Sequence, residues 1–247
     1  MNLKNKTIQI SCDGGAATGK STGAKIIAKK YKIKFLSSGL LYRYASFLLI
    51  KYKPINEINF LKKKFQSLNY KKLDKINLHT QEISKESAII AKIGKIRKIL
   101  KVFQINLYSP EISNQSAVIA KVHKIRQILK NFQTKFAKKN KSCCIEGRDI
   151  STKILPNSDV KFFFKCDLDT ASIRRYKELK KKKNKIKLQD VKKALRIRNN
   201  QDINRKNSPL LKHRDAIVID TGKLNKLQMQ KKMSKYIDRL IQNKYGN

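Results

Sequence analysis

The residues most able to do chemistry lie in one run, Gly14-Gly15-Ala16-Ala17-Thr18-Gly19-Lys20-Ser21-Thr22. It fits the pattern G-x-x-x-x-G-K-[ST], in which small residues let successive backbone N–H groups wrap phosphate oxygens. A helix N-terminus directly after such a loop adds positive potential. Lys20 can reach the β- and γ-phosphates of a nucleotide, and the Ser21 hydroxyl can help to hold Mg²⁺. A Gly-rich turn can also be no more than a tight turn, so the flanks decide. Thr7–Asp13 reads as a short strand and Ala24–Tyr31 as a helix, the context the pattern requires. Residues 14–22 are therefore expected to bind a polyphosphate.

A bound polyphosphate calls for positioned positive charge. Arg43, Arg148 and Arg198 could each offer a planar fork of donors to phosphate oxygens, although one arginine alone reads more readily as a surface ion pair. Something must hold these groups together. Four further apolar runs, Lys34–Ser37, Ser142–Glu146, Val160–Cys166 and Ala216–Asp220, are short and β-branched or aromatic, with helical patterns between them. The alternation predicts an α/β fold, a five-stranded parallel sheet flanked by helices. Val160–Cys166 and Ala216–Asp220 are nearly continuous apolar runs, as strands covered on both faces would be. Ligands of such sheets sit at the carboxyl ends of the strands, which makes Asp13, Ser38, Arg148 and Asp149 site candidates.

Composition bounds the rest. The 247 residues are 40% hydrophobic and 8% aromatic, enough for a core and too apolar for wholesale disorder. The 59 Lys+Arg against 17 Asp+Glu leave a formal charge of +42, which suggests nucleic acid or merely a Lys-rich bias; composition does not separate the two. Cys12, Cys143, Cys144 and Cys166 lack metal-ligand spacing, and three of them lie in apolar, strand-like runs, where a free Cys is most often a small buried hydrophobe. No signal-peptide pattern or membrane-length apolar run is found, so a soluble cytoplasmic protein with no membrane partner is expected. Lys177–Lys187 is a basic run with few apolar anchors, expected to be a solvated helix end.

Residues 77–104 and 106–133 are two versions of one segment, and from Ile76 and Ile105 onward 19 of 29 positions are identical. Each copy carries apolar residues at helical spacing: Ile89, Ile93, Ile96, Leu100 and Phe103, then Val118, Val122, Ile125, Leu129 and Phe132. Each has a helix start, at Thr80 and at Ser109-Pro110. Two copies fall short of a solenoid. The expectation is a tandem duplication that adds one amphipathic helix to a single domain.

Four blocks in order resemble bacterial cytidylate kinases, P-loop NTPase-fold nucleoside monophosphate kinases. They are Asp13–Thr22; Ser37-Ser-Gly-Leu-Leu-Tyr-Arg43, similar to D-S-G-x-x-Y-R; Ile145-Glu-Gly-Arg-Asp149, similar to D-G-R-D; and Arg198-Asn-Asn-Gln-Asp202-Ile-Asn-Arg205, similar to R-D-x-x-D-x-x-R. In that register the three arginines read as a set. The resemblance implies ATP-dependent phosphorylation of CMP and dCMP, with ATP·Mg²⁺ on residues 14–22. It implies a kinase core of residues 1–50 and 140–247, a lid at about 174–198, and a monophosphate-binding insertion at 51–139. Arg43 and Arg148 would hold the acceptor phosphate and Arg198 would reach phosphate from the lid. Ser38, Asp149 and Arg205 would lie near the pyrimidine and Asp202 on the ribose. Lys20, Arg174 and Arg198 would stabilise charge in transit. The monophosphate would sit between the 38–43 and 148–149 regions. A helical arginine on the acceptor phosphate has two candidates through the duplication, Arg126 and Arg97, of which Arg126 leads directly into the next strand.

Asp149 could accept from the exocyclic amine that uracil lacks, which would discriminate against UMP. Asp202 and Ser38 could instead be helix caps. This chain departs from the family's pattern at Ser37, Glu146 and Gln201, and a family serine appears one position displaced at Ser87 and Ser116, so neither is assigned. The other readings are a small P-loop kinase for a different monophosphate or a shikimate-like alcohol, or a basic nucleic-acid-binding NTPase. Basic residues spread along nearly every helix favour no specific nucleic acid, and a monomer is expected.

Overall fold

A computed structural model describes residues 7–70, 73, 110–120, 122–180 and 186–246. The first copy of the duplicated segment, with Thr80, Ser87 and Arg97, lies outside the described residues, as do Ser109 and residues 181–185 of the basic run. The chain divides into two compact units, residues 1–38 with 133–247 and residues 39–132.

The first unit is built on a five-stranded parallel sheet. Its strands are β1 (Gln9–Gly14), β2 (Lys34–Ser37), β3 (Cys143–Gly147), β4 (Val160–Lys165) and β5 (Ile217–Asp220), ordered β2-β3-β1-β4-β5. Every β-run expected from the sequence is present. The degree of cover differs from expectation. The strands buried nearly throughout are β1 and β3, which lie inside the sheet, whereas β4 alternates buried with half-buried residues and β5 is mostly half-buried. For β5 position explains it: β5 is an edge strand, so its second face gains less cover than an apolar run suggests.

Helix α1 (Lys20–Lys30) and the C-terminal helix (Lys226–Tyr245) cover the sheet. Ile10, Cys12, Ile27, Phe162, Phe164, Met233 and Ile237 form one buried cluster there. The C-terminal helix starts in a capping box, Asn225 accepting from Gln228 N and Gln228 from Asn225 N. Asp13, a site candidate from sequence, lies inside β1 and is spent on structure. Its carboxylate accepts from the Ile150 and Ser151 N–H groups at 2.8 and 2.7 Å and from the Ser151 hydroxyl at 2.6 Å. It thereby pins the π-helical turn Ile150–Ile154 that follows β3. Burial raises its carboxyl above the ordinary value despite those bonds.

The described residues of the second unit are mainly helical. It holds most of α2 (Ser38–Tyr52), then α3 (Glu57–Gln66), α4 (Pro110–Ile119) and the start of α5 (His123–Lys139), whose last residues, from Gln133, belong to the first unit. Pro110 opens α4, as its fixed φ favours. Phe65 packs edge-on against Phe132 at 5.8 Å and against Tyr44 at 5.9 Å. The second copy is not one continuous amphipathic helix. Its described residues form two helices, one ending at Ile119 and the next starting at His123, and the stripe changes phase between them: Ile112, Ile119, Ile125 and Leu129 are buried, but Val118 and Val122 are 56% and 40% exposed. Ser116 is buried and shares a 3.1 Å hydrogen bond with Ser46, a packing role.

Candidate phosphoryl-transfer site

The loop after β1 is shaped by its glycines. A Cβ on Gly14 would stand 2.5 Å from the Phe164 carbonyl, and Gly19, which caps α1, has φ 78. Ala17 at φ 58 continues the wrap. Its hydrogen bonds close the loop on itself: the Thr18 hydroxyl donates to Gly15 O at 3.1 Å and the Lys20 ammonium to the same oxygen at 3.1 Å. Helix geometry leaves the N–H groups of Lys20, Ser21 and Thr22 without acceptors inside α1. Ser21 and Thr22 are exposed, while Lys20 is buried. The first turn of α1 thus offers donors and a hydroxyl to an incoming anion.

Lys20 has acidic and basic neighbours. Its Nζ lies 3.8 Å from Glu146 Oε2. Burial, with Arg148 and Arg198 nearby, outweighs the pull of Glu146 and Asp202 and brings its pKa down to about 7. Beside the loop runs a chain of alternating charges, largely shielded from solvent. Arg148 donates from Nη1 to Gly14 O at 2.9 Å and from Nε to Asp202 Oδ2 at 2.6 Å. Arg205 lies 3.6 Å from Asp202 and 3.9 Å from Asp149. Burial would raise Asp202, but Arg148, Arg198 and Arg205 together hold its carboxyl below the ordinary value. Arg148, Asp149, Asp202 and Arg205, from two separate sequence blocks, are therefore brought together at the loop. Ser38 is buried at the start of α2, and a Cβ on Gly147 would come within 3.1 Å of its Cβ.

Other expected residues sit differently. Arg43 on α2 and Arg126 on α5 belong to the second unit; Arg126 donates to Ala120 O at 3.3 Å, closing the end of α4. Arg174, expected on phosphate, is bonded to Thr221, from Nη1 to Oγ1 at 2.9 Å and from Nη2 to the carbonyl at 2.7 Å. Thr221 in turn donates to Thr18 O at 2.8 Å. Thr221 escaped sequence reasoning, although it directly follows β5 and the rule that picked out Ser38 applies to it equally. Asn199 also escaped: its side-chain oxygen accepts from the Ala16 N–H of the loop at 3.2 Å. Asn199 sits on α7 (Leu188–Asn204), which packs with α6 (Leu168–Lys180) around Ala16, Ala171, Val191 and Leu195.

Among the described residues no group of three or more His, Cys, Asp or Glu side chains could hold a metal ion alone. The donor set, one exposed hydroxyl at Ser21 beside a phosphate loop, fits Mg²⁺ held chiefly by nucleotide phosphates and water. No helix among the described residues is long and apolar enough to cross a membrane.

A parallel sheet whose first strand runs through a Gly-rich loop into a helix, with a buried lysine on that helix, defines a P-loop nucleotide-binding protein of the kinase type. The chain belongs to the cytidylate kinase family, whose profile matches residues 10–239. It is 32% identical over 236 residues to a cytidylate kinase of Phytoplasma mali, covering 89% of each chain. It is 30% identical over 243 residues to a cytidylate kinase of Rickettsia bellii, covering 96% of this chain and 98% of that one. The fold is similar to that of an uncharacterized protein from Eubacterium ventriosum, with TM-score 0.52, 18% identity, and 95% and 99% coverage.

Proposed function

We propose that this chain transfers the γ-phosphoryl group of ATP to CMP and dCMP, forming CDP and dCDP in pyrimidine nucleotide metabolism. A phosphate oxygen of the acceptor attacks the γ-phosphorus, and the bond to the β,γ-bridging oxygen breaks to release ADP. The observation that carries this reading is the bond from Arg148 to the Gly14 carbonyl. It joins a chain of alternating charge directly to the phosphate loop.

Residues 14–22 would bind ATP, with Ser21 toward Mg²⁺, which neutralises phosphate charge when bound. Lys20 and Arg198 would offset charge developing on the transferred group; Arg174 would join them on releasing Thr221. Arg43, Arg126 and Arg148 would hold the acceptor phosphate, Asp202 the ribose, and Ser38, Asp149 and Arg205 the cytosine. Residues 174–198 would act as the lid, excluding water so that CMP and not water receives the phosphoryl group. Residues 51–139 are proposed as the monophosphate-binding insertion, and the enzyme as a cytoplasmic monomer.

A coupled assay of the purified protein with ATP and each of CMP, dCMP, UMP, AMP and shikimate tests the reading. The expected result is turnover of CMP and dCMP far above the others, lost by about a hundredfold or more in Lys20→Ala. Preference for another acceptor, or tight salt-dependent RNA binding with no CMP phosphorylation, would overturn it.

A further inference from the structure

The carboxyl ends of β2 and β3 hold an arrangement that the roles above leave unused. Ser37 and Glu146 are register partners on these neighbouring parallel strands. The Ser37 hydroxyl donates to Glu146 Oε1, while Oε2 of the same carboxylate faces Lys20 Nζ at 3.8 Å. Glu146 is 3% exposed and Lys20 8%.

Lysine is a point charge on a flexible stem, so it is aimed by what surrounds it. Here Arg148 and Arg198 repel the ammonium and burial strips its water, which makes a fixed opposite charge valuable. A glutamate also has freedom to lose. Its carboxylate can serve Lys20 only if something holds it, and the Ser37 hydroxyl does so from the adjacent strand. The strands supply rigidity that loops would not.

We infer that Ser37 and Glu146 act as one positioning unit for Lys20, the hydroxyl fixing the carboxylate and the carboxylate aiming the ammonium into the phosphate loop. The inference rests on the reading of Lys20 as the lysine that meets nucleotide phosphate. An acidic residue at 37 would set a second carboxylate against Glu146 in register, a like-charge pair that one hydroxyl avoids.

The test is a set of cycles in the full-length protein, read as ATP affinity by calorimetry and as kcat and KM with CMP. Ser37→Ala should weaken ATP binding by about threefold or more, and the loss should vanish when Lys20 is already alanine, since coupled residues are non-additive. Turnover should fall by roughly tenfold with KM for CMP nearly unchanged, as expected for a misaimed group. Ser37→Thr, which keeps the hydroxyl, should restore both. Ser37→Asp should be worse than Ser37→Ala, because it sets a second carboxylate against Glu146.

An equal loss from Ser37→Ala in the presence and absence of Lys20 would overturn the inference. So would a variant that melts earlier but binds ATP and turns over normally. A wild-type protein that binds ATP but does not phosphorylate CMP would defeat the functional reading while leaving the ATP-binding cycle to decide this one.

Discussion

Lys20 is held in the folded protein at a pKa of about 7, well below the ordinary lysine value, with burial the leading cause. Phosphate oxygens on the loop would replace a hostile environment with a favourable one and raise that value again. Between pH 7 and the raised value, free protein carries a neutral Lys20 and bound protein a charged one. ATP binding should therefore take up a proton in that window, and affinity should fall as pH rises through it. Calorimetry in buffers of differing ionisation heat reads the uptake directly; Lys20→Ala should abolish it.

Arg148 makes a second argument at this scale. Removing it leaves Asp202 facing a cost of burial that Arg148 now offsets. Arg148→Ala should destabilise the protein by about 3 kcal/mol, and Arg148→Lys should recover little, because Nε and Nη1 of the fork reach Asp202 and Gly14 from separate positions that one ammonium nitrogen does not reproduce. The Asp202 carboxyl is depressed on folding. Its share of stability is thus complete above about pH 4 and is lost as pH falls through the lower folded value. Urea unfolding from pH 7 to 3 should show wild type losing stability over this range faster than Asp202→Asn.

Among the elements, α4 shows where periodicity misleads. The repeated sequence suggests one unbroken stripe, but Val122 N donates back to Ile119 O at 3.1 Å, tightening the chain before α5 begins. The break between α4 and α5 rotates the stripe: Val118 faces solvent, while its neighbour Ile119 is buried at 2% exposure. Val118→Asp should change stability by about 0.5 kcal/mol or less, whereas Ile119→Asp should cost more than about 3 kcal/mol. Chemical denaturation of the two variants decides it.

The same contrast governs what could be read from residue order. The loop and the strands were legible because Gly14, Gly19 and Lys20, or the run Phe162–Phe164, state their local requirements within a few positions. The bond from Ala16 to Asn199 joins residues 183 apart, and that from Arg174 to Thr221 residues 47 apart. Such pairings follow from strand order and helix packing, which no local pattern encodes. The four-residue chain from Arg148 to Asp149 was legible only in part. Its members were recognised, but not that they bind one another.

For the molecule as a whole, the formal charge of +42 still has a physical consequence even though the proposed site rests on a few arginines. Lysines spread over many helices make a diffuse positive field, which attracts polyanions without sequence preference. RNA should bind at low ionic strength and be released steeply as salt rises, with no preference among sequences. Filter binding across a salt series measures the slope. A preferred sequence surviving at high salt would show a dedicated surface instead.

Cys12, Cys143 and Cys144 are fully buried in β1 and β3, while Cys166, just past β4, is half-buried. The chain thereby carries its own clock for opening. A thiol reagent should modify Cys166 within the folded state, but the other three only when the centre of the sheet comes apart. The slow phase should count three thiols and lengthen when ATP is added, because a ligand that binds only the closed sheet lowers the open fraction. Breathing of the sheet could then be timed without adding any label by mutation.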